Sequence, residues 1–282
     1  HLCDRRQRQM CIRDSFYIDL KAESGAKDLL KLIEILFPSY GMTGAEAHFN
    51  NLAGQYWTGL AKLLHFFINY EPSWLNEFGL KPVFSIGSVV DLYSNIDREL
   101  ILSKREELEG TNGLDENALY HLRDALTKIR EYHETEDEQR SSIDGSFRKK
   151  MSLFYLPTVR KCTDGNDFDL RQLRREDITV YVGVNAEDIS LAYDFLNLFF
   201  NFVVEVTLRE NPDFDPTLKH DCLMFLDEFP SIGYMPIIKK GSGYIAGFKL
   251  KLLTIYQNIS QLNEIYGIEG AKTLMSAHPC RI

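Results

Sequence analysis

The sequence predicts an α/β fold, a mostly parallel sheet with an inserted all-α domain, and three stretches support it. Leu223-Met224-Phe225-Leu226 runs apolar into Asp227-Glu228, the pattern of a fully buried parallel strand that delivers acids at its carboxyl end. Leu250 to Gln257 reads as a second strand, ending on an amide. Between Asp97 and Arg140, Leu100, Ile101, Leu108, Leu114, Leu119, Leu122, Leu126 and Ile129 are spaced for helices. That segment holds thirteen acids against seven bases, so its module is expected to show a strongly acidic face. A chain of 282 residues, 44% of them apolar, suits one domain with a sizeable insertion, or two domains.

Taken in order, residues 1–15 read as a translated sequencing-library adapter and are set aside, the plainer reading being a natural basic arm. The protein proper is then expected to begin before Phe16. Lys27 to Leu36 forms a helix stopped by Pro38 and Gly41. Gly54 to Tyr70 is a helix whose Gln55, Thr58, Lys62, His65 and Asn69 make a narrow wet stripe, with His65 exposed and no metal ligand. Pro72 to about Thr158 is the helical insertion. Glu131 to Glu138 lacks a second histidine at helical spacing and is not read as a metal cluster.

The chain returns through Ile178-Thr179-Val180-Tyr181-Val182, a short β-branched strand. A long helix follows over about 187–209, buried except along the polar line Glu187, Ser190, Asp194, Asn197, Asn201 and Glu205. Strand, helix and the acid-bearing strand together make a right-handed βαβ unit.

The acid-bearing strand has the shape of a Walker B strand. In phosphoryl transfer such a strand supplies one acid for Mg²⁺ and another to orient the attacking water. Asp227 is expected to hold the metal and Glu228 to activate water. The plainer reading is that the two acids merely cap a following helix. Gln257 at the end of the neighbouring strand can donate to a γ-phosphate and accept from water, a sensor role, or simply cap the strand end. In a ring, Lys239, Lys240, Lys249 and Lys251 are candidates to face DNA phosphates or a neighbour's nucleotide and Arg281 is a candidate for contact across a subunit boundary, with no role assigned to any of them.

Leu226-Asp227-Glu228-Phe229, Tyr244-Ile245-Ala246-Gly247, Gln257, Ser260-Gln261-Leu262, Tyr266-Gly267 and Gly270-Ala271-Lys272-Thr273 occur in one ordered block. In that block the chain resembles the TraG-type coupling proteins of type IV secretion and conjugation. The likeness is strong from about Asp144 onward, where Phe168-Asp169-Leu170 also fits, and looser before it, where Tyr56-Trp57 fits. It implies a partial RecA-like P-loop NTPase core. Residues 16–71 would begin the nucleotide-binding domain, 72–158 would form the insertion, and 159–282 would be a truncated core.

The resemblance further implies ATP and Mg²⁺ as cofactors and a homo-hexamer at the cytoplasmic face of the bacterial inner membrane, anchored by amino-terminal spans. Its partners would be single-stranded DNA with its relaxase complex, or protein substrates, and the channel proteins. The alternatives are a non-catalytic receptor or adaptor that kept the fold, and a DNA pump of the chromosome-segregation type.

Several features bound these readings. No Gly-x-x-x-x-Gly-Lys-[Ser/Thr] loop stands anywhere in the chain, and Gly241-Ser242-Gly243 follows helix without a lysine. The 282 residues alone are therefore expected neither to bind ATP tightly nor to hydrolyse it, and to leave sheet edges exposed. A net charge of −9 excludes a protein that coats DNA with its whole surface, though a narrow basic channel in an oligomer stays open. No uninterrupted apolar run reaches the length of a membrane span. Cys162, Cys222 and Cys280 lack paired metal spacing and read as reduced thiols.

Overall fold

The computed structural model describes residues 18–22, 24–38, 42–163, 169–185, 187, 189–235, 238 and 245–278. The chain forms two compact units, one over Phe16–Gly165 and the other over Asn166–Ile282 together with His1–Ser15. The adapter-like stretch, and also Phe168, Lys239, Lys240, Gly241 to Tyr244, Cys280 and Arg281, lie outside the described residues.

Among the described residues the first unit is all helical: α1 (Gly25–Leu36), α2 (Gly44–Asn69), α3 (Ser73–Glu77), α4 (Ile86–Asn95), α5 (Arg98–Ser103), α6 (Arg105–Glu109), α7 (Glu116–His133), α8 (Asp137–Met151) and α9 (Pro157–Thr163). Side-chain caps fix several starts: Ser85, Asp97 and Asp115 accept from backbone amides of Ser88, Leu100 and Ala118. At the centre lies α2, packed against α1, α3, α4, α7 and α8 and buried almost continuously from Ala53 to Phe67. The cut expected at residue 72 thus falls inside this unit, because the helix before it is the core on which α4, α7 and α8 assemble.

The stripe expected to be wet is largely dry. Thr58, Lys62 and His65 are all buried, since helices cover α2 on that side as well. Each finds a polar partner: Thr58 Oγ1 donates to Gly54 O at 2.8 Å, Lys62 Nζ pairs with Asp124 at 2.7 Å, and His65 Nε2 accepts from Leu20 N at 3.3 Å. His65 is therefore a core histidine, not an exposed one. Buried polar groups at helical spacing can mark an interior seam as readily as a solvent edge.

The second unit contains α10 (Ile189–Arg209), β1 (Cys222–Leu226), β2 (Leu250–Thr254) and α11 (Ile259–Ser276). β1 and β2 pair in parallel, from Cys222 opposite Leu250 to Leu226 opposite Thr254. Cys222, Met224 and Leu226 are buried, whereas Leu223 and Phe225 are 60% and 57% exposed. The full burial expected of this strand is thus half met, because one sheet face is covered and the other bare.

Residues 178–182 form no strand. They alternate between exposed and half-exposed and pair with no described neighbour, and Tyr181 is almost wholly exposed. A β-branched pattern specifies a strand only when an adjacent strand supplies the ladder. The expected βαβ unit is therefore absent among the described residues, where the parallel crossover instead runs from β1 to β2. No helix among the described residues is long and apolar enough to cross a membrane.

Candidate phosphate-site rim

Asp227 and Glu228 directly follow β1, and Gln257 stands three residues past β2. The ladder continues beyond the strand ends. Ile255 N donates to Leu226 O at 2.9 Å and Phe229 N donates to Ile255 O at 3.0 Å. The two carboxyl ends, and with them both acids and the amide, are thereby carried to the same rim of the sheet. All three residues are exposed. Neither carboxylate has a hydrogen-bond or ion-pair partner among the described residues, so both are open to a hard cation.

The loop bearing the acids is held from two sides. After Glu228 the chain folds into a 3-10 turn over Phe229–Ile232, with Phe229 and Ile232 buried. Asn197 of α10 donates to Ile232 O at 2.9 Å and to Tyr234 O at 3.0 Å. From α11, Tyr266 stacks on Phe229 with centroids 5.9 Å apart, accepts from Met235 N at 3.3 Å and donates to Gly233 O at 3.4 Å. Burial holds the Tyr266 phenol well above its usual range, so it stays protonated and able to donate. Sequence reading placed Asn197 on a wet edge and Tyr266 in a motif without a task. For Asn197 the available signal was an amide on the inner side of a largely buried helix.

Gly233 turns the chain out of this loop at φ 79°, ψ −157°, a region open essentially to glycine. A Cβ there would meet the Tyr193 hydroxyl oxygen at 1.7 Å.

Gln257 does not cap the following helix. That task falls to Asn258, whose side chain accepts from Gln261 N at 3.1 Å, while Gln261 Oε1 accepts from Gln257 N at 3.0 Å and Asn258 N at 3.4 Å. This is a capping box, and it leaves the Gln257 side chain without a structural duty among the described residues. Lys251 is engaged, pairing with Asp221 at 2.6 Å and holding that carboxyl below its usual range. Lys249 adopts φ 55° at the turn into β2, and its carbonyl accepts from Cys222 N at 2.9 Å.

The donor set suits Mg²⁺, which takes few protein carboxylates and keeps waters and phosphate oxygens for its remaining positions. What the rim lacks is the glycine-rich nest and lysine that would hold β- and γ-phosphates, since the sequence carries no such loop.

A family model described as type IV secretory system conjugative DNA transfer matches residues 6–282. The chain is 32% identical over 126 residues to protein VirD4 of Agrobacterium fabrum (strain C58), covering 45% of this chain and 19% of that protein. It is 29% identical over 133 residues to conjugal transfer protein TraG of Escherichia coli, covering 45% and 21%. Plasmid coupling protein TrwB bound to the non-hydrolysable GTP analogue GDPNP superposes with a TM-score of 0.58 at 16% identity, over 96% of this chain and 55% of that one. TrwB with ADP and Mg²⁺ gives 0.56 at 14%, over the same shares. The chain thus spans about a fifth of these curated relatives and about half of the solved neighbours, and the structural likeness shows that the fold is TrwB-like.

Proposed function

Since this chain belongs to the type IV secretory system conjugative DNA transfer family, we propose that it is part of an ATP-driven coupling protein, with Asp227, Glu228 and Gln257 on one wall of the nucleotide site. The observation that carries this reading is the Phe229 N to Ile255 O hydrogen bond, which puts both acids and the amide on one rim. TrwB, its structural neighbour, was solved with nucleotide analogues and with ADP and Mg²⁺.

Asp227 would hold Mg²⁺, Glu228 would accept the proton of the attacking water, and Gln257 would orient that water through its amide. When bound, Mg-ATP supplies the phosphoanhydride whose cleavage drives transport. The clamp of Asn197 and Tyr266 keeps the acids in place against thermal motion of the loop, which positioning catalysis requires. The full-length protein assembles as a hexamer at the cytoplasmic face of the inner membrane and moves single-stranded DNA with its relaxase, or protein, into the secretion channel. The test is ATP hydrolysis by the full-length Glu228→Gln protein. Turnover should fall by about 10²–10⁴-fold with nucleotide binding retained; unchanged turnover would remove Glu228 from the chemistry.

One observation favours a second reading, a receptor that keeps the fold without catalysis: the absence of a phosphate-binding loop in these residues. Failure of the full-length protein to hydrolyse ATP at all would select it.

A further inference from the structure

The helical unit holds a cleft of about 900 Å³ between α4, α5, α7 and α8, lined by three arginines, Arg98, Arg140 and Arg148, against a single acid, Asp144. Its volume lies in the range of small-molecule and short-peptide sites. The acid's hydrogen bonds go to neutral partners, while its charge also acts on Arg98 and Arg148. Asp144 Oδ1 accepts from the Tyr93 hydroxyl at 2.8 Å and from the Tyr132 hydroxyl at 2.6 Å. Burial, then the contact with Asp144, pushes Tyr132 well up, while burial foremost carries Tyr93 up to about 12, so both phenols remain uncharged.

The arginines are only partly answered. Arg140 pairs with Asp137 and donates to His133 O at 2.9 Å. Arg98 donates to the Tyr56 hydroxyl at 2.6 Å and lies 5.1 Å from the Tyr132 ring centroid. Arg148 donates through Nε to the Tyr93 hydroxyl at 3.2 Å. Neither Arg98 nor Arg148 is ion-paired with a described acid. Tyrosines thus hold these guanidinium groups in place without neutralising them, which pre-organises a fork for a carboxylate.

The surroundings select among anions. The segment from Asp97 to Arg140 is strongly acidic, so a long polyanion laid across it meets repulsion, whereas a short acidic segment reaches the arginines alone. Tyr155, 42% exposed on the cleft wall, offers an aromatic surface to an apolar neighbour of those carboxylates.

We propose that this cleft is a recognition site for an acidic peptide segment, with carboxylates bound at Arg98 and Arg148 and an adjacent apolar side chain on Tyr155. The proposal stands on the helical unit alone and is independent of the phosphate-site reading.

The test is fluorescence anisotropy on the 282-residue chain at about 150 mM salt, where more distant surface charges are screened. The probes are a labelled peptide of glutamate pairs separated by leucine, the same peptide with glutamine, and a short single-stranded oligonucleotide. Saturable binding of the glutamate peptide is expected, weakened about tenfold by glutamine or by Arg148→Ala, the size of one lost charge-assisted contact. Lys149→Ala removes an exposed charge from the same helix outside the cleft and should change affinity less than about twofold. Ser94→Glu, which places a carboxylate on the cleft wall and spares Arg148, should weaken binding by about tenfold as well. No saturable binding, equal loss in Arg148→Ala and Lys149→Ala, or tighter binding of the oligonucleotide would overturn the assignment.

Discussion

The backbone amide of Phe229 donates to the carbonyl of Ile255 at 3.0 Å, one step beyond the last ladder pair of the two parallel strands. It aligns the residues after β1 with those after β2, so the sheet itself sets the spacing between the paired acids and the amide.

Glu228 and Gln257 are proposed to act on the same water, so their losses should not add. In the full-length protein, Gln257→Leu is expected to lower the turnover of ATP by about 10²-fold, and the double variant with Glu228→Gln to be little worse than Glu228→Gln alone. Fully multiplicative losses would separate the two roles.

The 282-residue chain itself should show no micromolar affinity for Mg-ATP, because nothing in it replaces the backbone nest and lysine of a phosphate loop. Isothermal titration decides this directly.

Gly233→Ala should destabilise the chain by about 1–3 kcal/mol from its backbone conformation alone, with the clash against Tyr193 in addition. Adding Tyr193→Ala relieves the clash but not the backbone cost, so thermal melting should show partial recovery.

Asp124→Asn strands the Lys62 ammonium inside the helical unit, since Asp124 pairs with Lys62 at 2.7 Å and is shared with Lys128. Asp124 is only half-buried, so removal of its charge should cost about 1–3 kcal/mol. The double variant Lys62→Met with Asp124→Leu should recover most of that loss in denaturant unfolding.

His121 supplies a pH signature. Burial, then the nearby Lys62 ammonium, lowers its pKa to about 4, and burial lowers His65 in the same sense. Their folded-state values lie below the unfolded value, so the stability is complete above about pH 6.5 and is lost as pH falls toward 4. His121→Leu removes that histidine's share of the loss, so its melting temperature relative to the unaltered chain should rise as pH falls between those limits and stay flat above them.

The sequence displayed the acid-bearing strand and its neighbour because apolar runs ending on polar residues have few other uses. It displayed the long buried α10 as well, through the spacing of its asparagines. Other features depended on what each element meets. Val180 and Val182 look like strand residues, yet no described strand pairs with them. Lys62 and His65 recur at helical spacing like a solvent edge, and only the packing of α2 under α7 shows that edge to be interior. At the rim, the acids and Gln257 stood out as residue types, whereas the cap of Asn258 and Gln261 beside them had to be seen to free the amide.

Tyr266 joins two halves of the rim that are distant along the chain. Its ring rests on Phe229, directly after the acids, while its helix starts two residues beyond Gln257. Any tilt of α11 must therefore drag the amide and the carboxylates together, like two jaws on one lever. That linkage runs out only to Gly267, where φ 70° and ψ 164° break the rod, so the residues beyond it are not bound to follow.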